Sequence, residues 1–279
     1  MDFGDDLSLA GIEVELGERL YGGHQSVVYQ ARWDGRDVVV KFELESDRWL
    51  DPRMLATSAA AEANPQVVPP LSIDGALVHS LDGRRSVVQP FVAGSPPDID
   101  DRLQAEEMGR SLARLHATLQ LVDGSGLPDV SMLRAVAGAD ELVLWGDRQL
   151  IHGDFGAANL ISTEAGLRIL DFGELGFGTA ALDVANTIFI ERFSAALDGR
   201  LADADRFAEV FVAAYADESG SSIGSDDIEL GLDVRRRALG RWLDEPERAP
   251  VGIARSSPEW RRRLRRYAET DPTGWGSID

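Results

Sequence analysis

The sequence predicts an α+β chain in which an antiparallel sheet comes first and helices follow, and three observations predict it. Residues 14 to 44 read as successive strands broken by Gly-rich turns. After Asp98 the apolar spacing lengthens from two to between three and four. Between residues 150 and 174, two short apolar runs each deliver an aspartate into a tight turn.

The strands are VELGERLYGG, SVVYQARW and DVVVKFEL, the last two joined by a turn at Asp34-Gly35. Gly22 and Gly23 open the loop between the first two. Paired glycines let backbone approach a phosphate, and the Ser26 hydroxyl can donate to its oxygens, although an ordinary Gly-rich hairpin fits as well. Neither G-x-x-x-x-G-K-[ST] nor G-x-G-x-x-G is present. Lys41 ends the apolar run Val38-Val39-Val40, where an ammonium needs a partner or a route to solvent. A helix is predicted over 51–63, with Asp51 as N-cap and Pro52 in its first turn. A hairpin follows, Ala76 to Ser80 with Ser86 to Val88, and leads into a Pro-Gly-rich linker at 89–94. Leu103, Met108, Leu112, Leu115 and Leu119 then mark a core helix. Helices are also predicted near 131–145, 185–198, 202–217, 225–243 and 257–268.

The chain has 279 residues, enough for one large domain or two lobes, and a net charge of −20. That charge argues against nucleic acid or an anionic membrane as partner and favours a cationic small molecule, while serving equally as a solubility device. No apolar run is long enough to span a bilayer, and the acidic start MDFGDDLSLAG is not a signal peptide, so a soluble cytoplasmic protein is expected. Zero cysteines exclude disulfides and thiolate metal sites.

The densest chemistry lies in LIHGDFGAANLISTEAGLRILDFGE, residues 150–174. A turn at Glu164-Ala165-Gly166 predicts a short hairpin that sets Asn159 beside Asp171. With Asp154, two carboxylates and a carboxamide face one small volume, an oxygen donor set suited to Mg²⁺ completed by water and substrate phosphates. Singly, such residues are usually turn and cap residues. The set H-G-D-x-x-x-x-N, with D-F-G twelve residues after the Asn, is hard to obtain by chance.

This set resembles the catalytic and metal-binding segments of kinases with the protein-kinase-like fold. Gly153 in place of Arg is the form of the aminoglycoside phosphotransferase and choline kinase branch, which phosphorylates small molecules. The E-M-G-R-S-L-A-R-L-H helix and the run from Gly176 to Asp183 are similar to the same branch. The resemblance implies a bilobal chain: residues 1–89 a nucleotide-binding lobe with an antiparallel sheet and one main helix, 90–94 a linker, 95–279 a mostly helical catalytic and acceptor-binding lobe. It implies ATP or GTP as donor, with the Pro90 carbonyl and Val92 N–H holding the base and Lys41 gripping the α- and β-phosphates. It implies Mg²⁺ on Asp171 and Asn159, and Asp154 as the residue that meets the acceptor hydroxyl. Glu62 is the candidate partner of Lys41, with Glu45 or no partner as rivals. Asp183 is expected to brace the catalytic loop, and His116 and His152 to be structural. The acceptor implied is an aminoglycoside-like or other cationic antibiotic, which would make the activity one of resistance. A sugar, choline-like alcohol or homoserine is the alternative, and a nucleotide-binding pseudokinase the reading from another class. Whether the chain is a monomer or a homodimer stays open.

Overall fold

The computed structural model describes residues 7–9, 11–20, 26–43, 47–137, 147–197, 200–221, 223–250, 253 and 256–270. Gly22, Gly23, Glu45 and part of the helix expected over 131–145 lie outside these.

The first part is a six-stranded antiparallel sheet: β1 (Ser8–Leu9), β2 (Ile12–Leu20), β3 (Ser26–Trp33), β4 (Arg36–Glu43), β5 (His79–Leu81) and β6 (Arg84–Pro90), in the order β1-β2-β3-β4-β6-β5. Alternation on β4 sorts its residues between two faces. Val38, Val40 and Phe42 are buried on one, in a cluster with Ile73, Leu81 and Val88. Val39, Lys41 and Glu43 take the other. The turns are set by Asp-Gly pairs at positive φ, Asp34-Gly35 and Asp82-Gly83, as two-residue hairpin loops require. The second pair moves the predicted hairpin: its strands are His79–Leu81 and Arg84–Pro90, so Pro90 is still in the sheet, paired with Val38.

Helix α1 (Leu50–Ala63) starts one residue before the predicted cap. Trp49 is the N-cap, and the Asp47 carboxylate accepts from its N–H at 2.9 Å, while Asp51 sits inside the first turn and pairs with Arg85. Leu50 and Met54 of α1 pack with Val87 of β6.

The remainder is mostly helical: α2 (Arg102–Leu119), α3 (Ser131–Val136), α4 (Ala180–Leu197), α5 (Leu201–Ser219), α6 (Ser225–Asp244) and α7 (Pro258–Thr270). Two small antiparallel ladders are set among them, β7 (Arg148–Ile151) with β10 (Gly176–Thr179), and β8 (Leu160–Thr163) with β9 (Gly166–Ile169). Asp101 caps α2 by accepting from the N–H groups of Leu103 and Gln104. Met108, Leu112, Leu115 and Leu119 are buried as their spacing predicts, each contributing roughly 1.5–3 kcal/mol. Leu103 is not in the core: it lies in the first turn, 73% exposed. The β8–β9 hairpin is tied to both flanking connections by backbone. Ile169 donates to Gln66 at 2.7 Å and accepts from Val68 at 3.0 Å, and Ser162 exchanges hydrogen bonds with Ser95.

Helices α2 and α5 meet so closely at Gly109 that a Cβ there would lie 2.3 Å from the Phe211 carbonyl oxygen, whereas one at Gly240 of α6 would meet nothing. Gly109→Ala should therefore destabilise by about 1–3 kcal/mol despite its better helix propensity. Gly240→Ala should stabilise by about 0.5–1 kcal/mol. Urea denaturation of both variants checks the pair, and equal effects would refute the close approach.

Candidate active site

The site is built where β7 ends. His152 is buried and its ring stays neutral, because burial disfavours the imidazolium and holds its pKa down. Its Nε2–H donates to the Leu170 carbonyl at 3.0 Å, and its Nδ1 accepts from the Asp154 N–H at 3.3 Å. It therefore positions two backbone segments. Gly153 has φ +79°, and a Cβ there would lie 2.6 Å from the Glu174 carbonyl oxygen. This close approach of the turn after Asp171 is the physical reason a glycine stands in the triplet.

One face of α4 holds the loop that follows. Asp183, fully buried, accepts from the His152 N–H and the Gly153 N–H, each at 2.9 Å, and from His116 Nε2 at 3.0 Å. His116 Nδ1 in turn meets the Tyr215 hydroxyl at 2.9 Å. Asn186 donates to the Gly153 carbonyl, Thr187 to the Phe155 carbonyl, and Glu191 accepts from the Ala157 N–H at 2.7 Å. The spacing 183, 186, 187, 191 is one helical stripe. Asp183 thus has the bracing role expected of it. The other three were missed, although polar residues at that spacing in the apolar run of α4 are a readable signal.

The β8–β9 hairpin forms with the predicted turn, and the Leu170 N–H bonds the Asn159 carbonyl at 2.9 Å, so Asn159 and Asp171 flank the same open end. Asn159 Nδ2 donates to the Asp154 carbonyl at 2.7 Å and to its carboxylate at 3.1 Å. Asp171 adopts φ 54°, a left-handed conformation rare outside glycine. Its Oδ1 receives Lys41 Nζ at 2.5 Å and the Gly173 N–H at 3.2 Å. Burial would lower the Lys41 pKa, but the charges of Asp171 and Glu43 outweigh it and hold the ammonium above its ordinary value. Burial likewise opposes ionisation of Asp171, and Lys41 reverses this. Asp154 has no such partner. Burial first, then the charges of Asp171 and Glu174, push its carboxyl up to about 7, with Arg235 and Asn159 pulling the other way.

Lys41, Asp154, Asn159 and Asp171 are thus brought together. Ser26 Oγ is buried at the start of β3 with no hydrogen-bond partner among the described residues, as a hydroxyl kept for a ligand would be. The Val92 N–H makes no backbone hydrogen bond among the described residues, and Pro90 ends β6 just before it. Glu62 is not placed at the site. It is exposed in the last turn of α1, three turns beyond the end that approaches Asp171, and Lys41 pairs with Asp171 instead. The α1 residue that reaches the site is Arg53, whose Nε donates to the Leu175 carbonyl at 3.0 Å.

A cavity of about 310 Å³ opens beside Asp154 and Asn159, walled by Phe189, Phe193, Trp242 and Trp260, with Arg235 of α6 in its lining. Sequence gave no sign of Arg235, which stands in a run of three arginines. A second cavity adjoins it, sharing Gly173, Glu174 and Trp242, and reaches Lys41 and Arg53.

Residues 134–218 match the profile of the phosphotransferase enzyme family APH. No curated protein sequence matches the chain. Among solved structures, an amicoumacin kinase in complex with AMP-PNP, Ca²⁺ and Ami superposes with a TM-score of 0.67 at 13% identity, covering 93% of this chain and 89% of that one. A microcompartment-associated aminopropanol kinase gives 0.62 at 20% identity, over 96% and 91%. An ethanolamine kinase from Plasmodium vivax gives 0.61 at 12%, over 95% and 83%. At such identities the likeness fixes the fold, a protein-kinase-like one, and the segment that matches the phosphotransferase family, residues 134–218, is the one that holds Asp154, Asn159 and Asp171. The structures it is similar to are those of small-molecule kinases.

The pKa of Asp154 gives a stability prediction. Its folded pKa lies above the unfolded value, so it stabilises fully below pH 4, and that contribution is lost as pH rises towards 7. Asp154→Asn, which can keep the Asn159 hydrogen bond, should match the wild-type Tm at pH 4 and exceed it by about 3 °C or more at pH 8. Scanning calorimetry across that range checks this, and a pH-independent difference would refute it.

Proposed function

We propose that this chain transfers the γ-phosphate of ATP or GTP to a hydroxyl group of a small molecule. The observation that carries the reading is the Lys41–Asp171 pair, which joins sheet to hairpin beside the hydrogen-bonded Asp154 and Asn159. In this reading residues 1–89 and 95–279 hold the nucleotide between them, with the base against the Pro90 carbonyl and the Val92 N–H in the 90–94 connection. Lys41 binds the α- and β-phosphates, and Ser26 donates to the phosphates beside the Gly22-Gly23 loop.

The donor set fits Mg²⁺. No described group donates to Asp171 Oδ2 or Asn159 Oδ1, and both are the hard oxygen ligands that such an ion takes. The ion would neutralise charge on the transferring phosphate. Asp154 orients the acceptor hydroxyl and accepts its proton late, which a loose transition state allows without a strongly basic carboxylate. His152 and Asn159 keep the Asp154 loop in place. A nucleoside triphosphate donor accords with action in the cytoplasm. Among the described residues no helix is long and apolar enough to cross a membrane. An aminoglycoside or other antibiotic, a choline-like alcohol, a sugar and homoserine all present a suitable hydroxyl, and the whole-chain acidity does not choose between them.

Phosphate addition to members of a panel of hydroxylated amines, sugars and hydroxy acids, followed by mass spectrometry, tests the activity. Asp154→Ala should lower turnover by about 10²–10⁴-fold while leaving nucleotide affinity within a few-fold. Asp171→Ala should instead weaken Mg-nucleotide binding first, as titration calorimetry would read. Nucleotide binding without transfer to any acceptor would establish the pseudokinase reading, and absence of both would overturn the enzyme.

A further inference from the structure

Arg235 is the unusual charge in the cavity beside Asp154. Its guanidinium lies 5.2 Å from the Phe189 ring and 5.3 Å from the Trp242 ring, and its Nε is buried without a partner. A guanidinium has five N–H donors. Among the described residues none of these makes a hydrogen bond or an ion pair. Asp154 and Glu174 face it, yet neither comes within ion-pair distance, and Asp171 is taken by Lys41. Leaving a buried donor unmet costs about 1–3 kcal/mol, so the arrangement is incomplete without an acceptor group.

Three further observations fix the chemistry of that group. The guanidinium already occupies faces of Phe189 and Trp242 that would otherwise attract an ammonium. Away from the polar end formed by Asp154, Asn159, Asp171, Glu174 and Asn186, the wall is apolar, with Phe193 and Trp260 in edge contact at 5.8 Å. A volume of about 310 Å³ is at the small end for a ligand pocket and suits a compact molecule better than a multi-ring polycation.

We propose that Arg235 anchors a carboxylate of the acceptor, so that the molecule phosphorylated is a small hydroxy acid with an apolar body. This rests on the phosphotransferase reading and narrows it: the carboxylate takes the fork of Arg235, the apolar body lies against Phe193 and Trp260, and the hydroxyl meets Asp154.

The test uses three probes that share one skeleton, 3-phenyllactate, its methyl ester and phenylalaninol. Binding to the full chain is followed by fluorescence of Trp242 and Trp260, with and without Mg-AMP-PNP. The carboxylate should bind at least about 10-fold more tightly than the ester or the amine. Arg235→Met should bring all three within about 3-fold of one another, while Arg235→Lys keeps the order in weakened form. Tighter binding of the amine, persistence of the order in Arg235→Met, or no binding of any probe would overturn the assignment. So would a loss of AMP-PNP affinity in Arg235→Met with the probe order unchanged, since that places the cation on the nucleotide. Failure of the phosphotransferase reading shows separately, as absence of nucleotide binding and of phosphate transfer.

Discussion

The site depends on a buried carboxylate that takes no part in the chemistry. Asp183 receives two successive backbone N–H groups from the catalytic loop and a histidine from α2, all without contact with water. A charged acceptor in a buried site makes stronger hydrogen bonds than a neutral one, and it leaves no backbone donor of the turn unmet. Because Asp183 opens α4, the helix and the loop are fixed by the same atoms. Asn186, Thr187 and Glu191 then extend the grip turn by turn. The direction of Asp154 is therefore set by a helix behind the loop, and the loop itself can remain short.

Opposed charges divide the two aspartates that face the cleft. Asp171 has an ammonium at 2.5 Å and stays ionised; Asp154 has only a carboxamide in contact and is pushed up to about 7. Two carboxylates of similar sequence context thus acquire different tasks from their neighbours alone. The electrostatic cost at Asp154 is of the kind that functional sites carry and that stability by itself would remove.

What sequence could show followed the distance over which its signals act. The hairpin between Asn159 and Asp171, the strand that carries Lys41 and four of the five apolar positions of α2 are local patterns that formed as read. Asp82-Gly83 is also local, yet its turn signal was overlooked, which displaced β5 and β6. Glu62 failed for another reason: the helix begins at Leu50, and at the end of α1 near Asp171 the residue turned to the site is Arg53, while the acid there, Asp51, pairs with Arg85. The cavity wall was illegible. It is made where α4, α6 and α7 converge, and each of these helices carries a periodicity that says only which side is inward.

The β8–β9 hairpin runs between Asn159 and Asp171 and is also stitched by backbone to residues 66–68 on one side and Ser95 on the other. Those four bonds lie on two connections, the one from α1 to β5 and the one from β6 to α2. Any widening of the cleft that spares them must swing about that seam, as a door swings about its jamb. The leaf of the door is β3 with β4, so Lys41 travels while Asn159 and Asp171 stay with the frame. In the phosphotransferase reading, such an opening would break one ion pair at the free edge, that of Lys41 with Asp171, and leave the hairpin and its flanking residues as they are.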